Sequence, residues 1–229
     1  MLHTFGGVTV PVKVICRRNA KNIHFYVDLL RQSVTVTSPR LHTEAQMKKM
    51  LSPHQDWIHE RLSHHNPVIL QDGMSLPVLE KEVCLRLTQD RKDKRVELVE
   101  DALICRSLVP NPSVARFLQE ELLSYLEKRV PLFSERINVQ VSSLRVKNTR
   151  TRWGSCSQNG TLSFQWKLVF APLNILDYVI IHEACHLRHF NHSPEFWSLV
   201  SELDPNFQKH RRWLKEHGDS LLAYFPHGS

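Results

Sequence analysis

The segment Val179-Ile180-Ile181-His182-Glu183-Ala184-Cys185-His186-Leu187 decides how the whole chain is read. It contains the spacing H-E-x-x-H. On a helix, residues four apart lie on one face, so two imidazoles converge on one point and the carboxylate between them borders it. That arrangement binds Zn²⁺ and supplies a metal-bound water with its general base. The flanking residues are apolar, which predicts a buried helix, and buried polar groups without partners are costly. A metal is one such partner. The competing reading is a core helix whose histidines bond to backbone.

A catalytic zinc site usually has three protein ligands and one open position. His192 follows His186 by six residues, too far for the same straight helix face. The chain must turn, and Asn191 tolerates the left-handed region that a turn uses. Ser193-Pro194 then reads as N-cap and first residue of a new helix. His192 at this corner is the preferred third ligand, with Glu195 and Glu202 as alternatives. His189 reads as a residue behind the ligands or on the surface. Cys185 reads as a small apolar core residue.

The 229 residues suffice for one or two domains, and the hydrophobic and charged shares, 41% and 23%, are those of a globular protein. Five scattered cysteines with no C-x-x-C pair suit reduced thiols inside the cell. The first residues lack the basic-then-apolar order of a secretory signal, and no apolar run is long enough to span a bilayer. The expectation is a cytoplasmic protein that does not enter a membrane. The net charge is +7. From Ile137 to Leu176 there is no acid, whereas Arg145, Lys147, Arg150, Arg152 and Lys167 lie within. Such a stretch is most often a solvated face, but it also suits an anionic substrate or nucleic acid.

Outward from the motif, Leu162 to Phe170 alternates as an amphipathic strand, preceded by a strand near 139–146, the loop Arg150-Thr-Arg-Trp-Gly-Ser-Cys156 and a turn at Asn159-Gly160. The metal helix is expected over 174–190, a second over 194–203, and a last one from Asp204-Pro205 closed by Gly218. Period-two runs near 8–15, 24–30 and 33–37 predict an antiparallel meander. Thr43-Glu-Ala-Gln46 is a capping box opening a helix to about 65, which Pro53 kinks or splits. His54, His59, His64 and His65 read as surface histidines. Short strands recur over 76–105, with 89–95 as a solvated hairpin loop, and a helix runs from Asn111-Pro112 to about 130. No internal repeat is evident. The expected architecture is α+β, with a β-rich N-terminal region carrying a helix over 1–110 and a catalytic domain over 111–229.

Arg152-Trp-Gly-Ser-Cys-Ser157, Trp166-Lys-Leu-Val169, His182-Glu-Ala-Cys-His186 and Asn191-His-Ser-Pro-Glu-Phe-Trp197 together resemble the YgjP-like metallopeptidases, relatives of the SprT and WLM zinc proteases. Ser33-Val-Thr-Val-Thr-Ser-Pro-Arg40, Asp56-Trp57-Ile58, and Gly73 before Leu79 extend the likeness across nearly the whole chain. The resemblance implies a zincin-like fold with His182, His186 and His192 as zinc ligands and Glu183 as base. The metzincin pattern has Gly where His189 stands, so that clan is not assigned.

The expected function is zinc-dependent peptide hydrolysis, Glu183 activating zinc-bound water. The strand 161–170 is the expected edge for an extended peptide or protein substrate. Arg150, Arg152 and Trp153 are the candidate substrate-binding residues, and a donor near 152–155 is a candidate oxyanion stabiliser. Two other readings keep the metal: a nucleoside triphosphate pyrophosphatase with Arg150 and Arg152 as phosphate clamps, and a DNA-associated module with structural zinc.

Overall fold

The computed structural model describes residues 1–20, 22–28, 32–63, 68, 70–88, 96–106, 111–149 and 151–225. Two compact units make up the chain, Met1–Val68 and Ile69–Phe225. The structure is α+β.

In the first unit, β1 (Leu2–Phe5), β2 (Val8–Cys16), β3 (His24–Asp28) and β4 (Ser33–Ser38) form a sheet in the order β1-β2-β4-β3. An all-antiparallel meander is not what forms. Strand β4 inserts between β2 and β3 and runs parallel to β2, with Val12 opposite Val34 and Val14 opposite Val36. This register sets Val10, Val12, Val34 and Val36 into one core. Helices α1 (Glu44–Leu51) and α2 (Gln55–Ser63) supply Met47, Leu51, Ile58 and Leu62 to that core. The Thr43–Gln46 capping box is present, and a 3-10 turn at Ser52–His54 separates the helices at Pro53, as proline's missing N–H requires. His59 is not a free surface residue: its Nδ1 is 3.0 Å from the Phe5 carbonyl. His64 and His65 lie outside the described residues.

The second unit opens with β5 (Ser75–Val78), β6 (Lys81–Leu87), β7 (Val96–Val99) and β8 (Ala102–Cys105). Their order is β5-β6-β8-β7, with β6 and β8 parallel, so the chain builds the same four-stranded topology twice. That repeat is invisible in the sequence because it lies in pairing order, not in residue identity. The expected loop over 89–95 lies outside the described residues. The expected boundary at 110 falls inside this unit, because Leu76, Leu85 and Leu103 share one core with Leu118 and Leu122 of α3 (Asn111–Arg136) and with Val179, Ile180 and Ala184.

Strands β9 (Ser143–Lys147), β10 (Gly154–Cys156) and β11 (Thr161–Gln165) form a second sheet in the order β10-β11-β9. The turn at Asn159-Gly160 joins β10 to β11, with Gly160 at φ +79°. Strand β11 is therefore the central strand, not the expected edge. It also ends at Gln165: Trp166–Phe170 is a 3-10 helix with all five side chains buried, Lys167 included. A strand would turn alternate residues away from the core, whereas this segment is enclosed on every side.

Helices α4 (Leu173–Cys185), α5 (Pro194–Leu203) and α6 (Phe207–Ala223) complete the unit. The N-terminus of α4 receives the Glu80 carboxylate, whose Oε1 accepts from the Leu173 N–H at 2.9 Å. The last helix does not stop at Gly218 but continues to Ala223. Gly218 is an interior contact point, where an added Cβ would lie 2.8 Å from Trp153 Cζ2. Among the described residues, no helix is long and apolar enough to cross a membrane.

Candidate active site

Helix α4 is buried through Val179, Ile180, Ile181 and Ala184, which fixes its rotation. Asp177, a turn and a half before His182, fixes it further: Arg129 of α3 donates Nε–H to Asp177 Oδ1 at 2.8 Å, and the Tyr125 hydroxyl lies 3.3 Å from the same oxygen. Burial, with Asp177 next, pushes the Tyr125 phenol up to about 12. The polar face left over carries His182, Glu183 and His186. The helix ends at Cys185, earlier than expected, with His186 as its C-cap still in right-handed geometry.

The corner from 187 to 193 returns the chain. Ser193 caps α5, its Oγ accepting from the Phe196 N–H, and Pro194 occupies the first helical turn. His192 comes back onto the other two histidines. The ligating atoms of His182, His186 and His192 all lie within 4.8 Å of one another, and the Nε2 atoms of His182 and His192 are 3.1 Å apart. Glu195 and Glu202, the alternative ligands, are exposed and stand outside this group.

These three residues fit a divalent metal. Tetrahedral nitrogens about 2.0–2.1 Å from a metal stand about 3.3 Å apart, close to the observed contact. His186 Nδ1 lies 3.0 Å from the His189 carbonyl, so it carries the proton there and leaves the Nε2 lone pair free. His189 thus acts through its backbone. Burial, then the His186 and His192 rings, then Arg211 push the His182 imidazole down to about 3, and burial pushes His186 down as well. Both shifts favour the neutral ring, the form that ligation needs. His182 Nδ1 is buried and meets no hydrogen-bond partner.

Phe196 was not anticipated from the sequence. It is fully buried, with ring centroids 5.0, 4.5 and 4.9 Å from His182, His186 and His192. Trp197 is half-buried and stacks on His192 at 5.5 Å. The signal was present in the Ser193-Pro194 helix start, which sets Phe196 and Trp197 into the first turn beside the corner.

Glu183 is 5% exposed, and burial pushes its carboxyl up to about 8, opposed by Arg152. Strand β10 is pressed against it: a Cβ on Gly154 would lie 2.5 Å from Glu183 Cγ and Oε1. Arg152 and Trp153 sit on the loop before β10. Gln165 holds that loop, donating its backbone N–H to the Trp153 carbonyl at 2.8 Å and its side-chain amide to the Thr149 carbonyl. Arg150 lies outside the described residues. Cys185 is buried, and its thiol is pushed up to about 12 by burial.

A cleft of about 350 Å³ opens at Glu183, between the Arg152–Gly154 loop and α6. His182 and Tyr178 line it from α4, and Arg211, Leu214 and Lys215 from α6. Arg211 and Lys215 lie outside the acid-free stretch before α4, on a helix that also carries Glu216 and Asp219, so nothing local in the sequence marks them. The Asp204–His210 contact at 2.8 Å and the His210–Asn174 contact at 3.3 Å hold the start of α6 against the start of α4.

The YgjP-like family, a metallopeptidase domain, matches residues 21–217. No curated protein matches the chain. Among solved structures, the metallopeptidase zymogen of Pyrococcus abyssi abylysin is similar at 19% identity and a TM-score of 0.37, covering 40% of this chain and 93% of its own.

Proposed function

The chain belongs to the YgjP-like metallopeptidase family, and we propose that it hydrolyses peptide bonds with a zinc ion held by His182, His186 and His192 and with Glu183 as general base. The observation that carries this reading is the convergence of three imidazole donors beside one buried carboxylate. An all-nitrogen, three-ligand set favours zinc over calcium or magnesium, which prefer oxygen. When bound, such an ion acidifies water and polarises a carbonyl.

Glu183 takes a proton from the attacking water at its carboxylate and returns it to the departing amine. Burial raises its proton affinity and Arg152 opposes that rise; a bound dication would further favour the ionised form that a base needs. The His186–His189 hydrogen bond keeps the imidazole proton on the far side of the ring. Strand β10, the outer strand next to Glu183, offers the backbone edge along which an extended peptide pairs. Arg152 and Trp153 border the same edge and serve as substrate contacts. The pyrophosphatase and DNA readings rest on the basic stretch before α4 alone.

The test is Glu183→Gln. The variant should keep its metal, measured by elemental analysis, and lose peptide hydrolysis by about 10²–10⁴-fold. Full activity in a metal-loaded Glu183→Gln protein removes the assigned role.

A further inference from the structure

The cleft beside Glu183 is lined by three cations and one acid. Arg152 enters from the loop before β10, while Arg211 and Lys215 enter from α6. Four residues apart on one helix, Arg211 and Lys215 share a face, and like charges at that spacing repel. Among the described residues no carboxylate forms an ion pair with any of the three. Arg211 is nevertheless held in place: its guanidinium lies 5.0 Å over the Trp197 ring, which stacks on His192. All three side chains are solvent-exposed along a concave, partly apolar site, and together they outnumber its one acid and bias the potential there toward positive.

Resting on the peptidase reading above, we propose that this cleft binds a substrate carboxylate next to the scissile bond, so that the enzyme favours acidic peptides. A carboxylate suits the layout better than a phosphate. The three cationic heads come from separate positions on two walls, with no glycine-rich loop of backbone N–H donors to wrap one tetrahedral anion. Trp153 and Leu214 between them offer apolar surface to the methylenes of a Glu side chain or to a residue ending the chain. The carboxylate has two sources, an Asp or Glu side chain or a free C-terminus.

The experiment uses the zinc-loaded full chain and quenched-fluorescent peptides that differ only by Glu or Gln beside the cleaved bond, with amidated ends. A third, uncharged peptide carries a free C-terminus. Binding of each is read separately by fluorescence anisotropy. The Glu peptide, the free-acid peptide or both should exceed the Gln peptide by about tenfold in kcat/KM and in affinity, a difference of about 1.4 kcal/mol. Which of them shows the preference names the source. The ratio should fall toward one in Arg211→Ala/Lys215→Ala and persist in Arg211→Lys. A ratio near one in the wild type, or one unchanged by the double substitution, overturns the inference while the peptidase reading stands. If no peptide is cleaved, the peptidase reading fails and the affinity ratio alone decides the cleft. A nucleoside triphosphate that binds more tightly than every peptide, and loses that binding in the double variant, overturns the carboxylate in favour of phosphate.

Discussion

Gly154 lies so close to Glu183 that no side chain fits between them: a Cβ at Gly154 would stand 2.5 Å from Glu183 Cγ and Oε1. The outer strand and the carboxylate are thus set against each other by the absence of one methyl group. Gly154→Ala should displace Glu183 and lower kcat by about 10²-fold, the usual cost of a misplacement near 1 Å. Zinc content should stay at the wild-type level. A kinetic comparison with parallel metal analysis checks this, and unchanged kcat would refute the contact's role.

Gly218 is the second such point, set against Trp153. Gly218→Ala adds a methyl 2.8 Å from the indole. Overpacking of this kind costs about 1–3 kcal/mol, so the melting temperature should drop and the tryptophan emission should shift. A more stable variant, as helix propensity alone predicts for Gly→Ala, would show that Trp153 moves aside freely.

His192 is exposed, yet it closes the histidine cluster from the far side of the corner. His192→Ala should weaken zinc binding by several orders of magnitude, read by competition with a chelator. Removing metal from the wild type should lower its melting temperature and restoring zinc should raise it, because a ligand that binds only the folded state stabilises it by mass action. A wild-type melting temperature indifferent to zinc would count against the site.

Lys167 is 1% exposed, with Nζ donating to the Leu222 carbonyl at 2.7 Å, and burial pushes its pKa down to about 8 from a usual 10.5. Between pH 8 and 10.5 the unfolded chain holds this proton more tightly than the folded one, so stability from this residue rises with pH. The cost of burying the charge is full below pH 8 and disappears toward pH 10.5. Its size is at most about 3 kcal/mol, since one pKa unit is about 1.4 kcal/mol. Other groups titrate in the same range, so the useful quantity is a difference. Any stability advantage of Lys167→Met over wild type should shrink as pH rises through this window, measured by urea unfolding at several pH values. A constant difference would mean that Lys167 holds its proton equally tightly in the folded and unfolded chain, and would overturn the downward shift.

The helical spacing of His182, Glu183 and His186, the Ser193-Pro194 start of α5, the Thr43 capping box and the break at Pro53 were all legible in the chain. Each depends on residues within one or two turns of one another, where backbone geometry alone dictates which side chains meet. Pairing order was not legible. Alternation marked the strands but not that β4 would insert beside β2, or that β11 would lie between β10 and β9. Alternation also misread Trp166–Phe170, where enclosure on all sides erased the difference between faces.

What the sequence by itself determined was the chemistry: two imidazoles and a carboxylate on one helix face, with a third imidazole just past a turn. Tertiary structure alone decided which surfaces surround that chemistry. It brought Gly154 onto Glu183, Phe196 among the three histidine rings, and Arg211 and Lys215 into the cleft, although α6 begins at Phe207 and α4 ends at Cys185. The physical reason is range. Helix periodicity is written in covalent geometry and repeats every few residues, whereas contacts between distant elements follow from how separate apolar faces share one core.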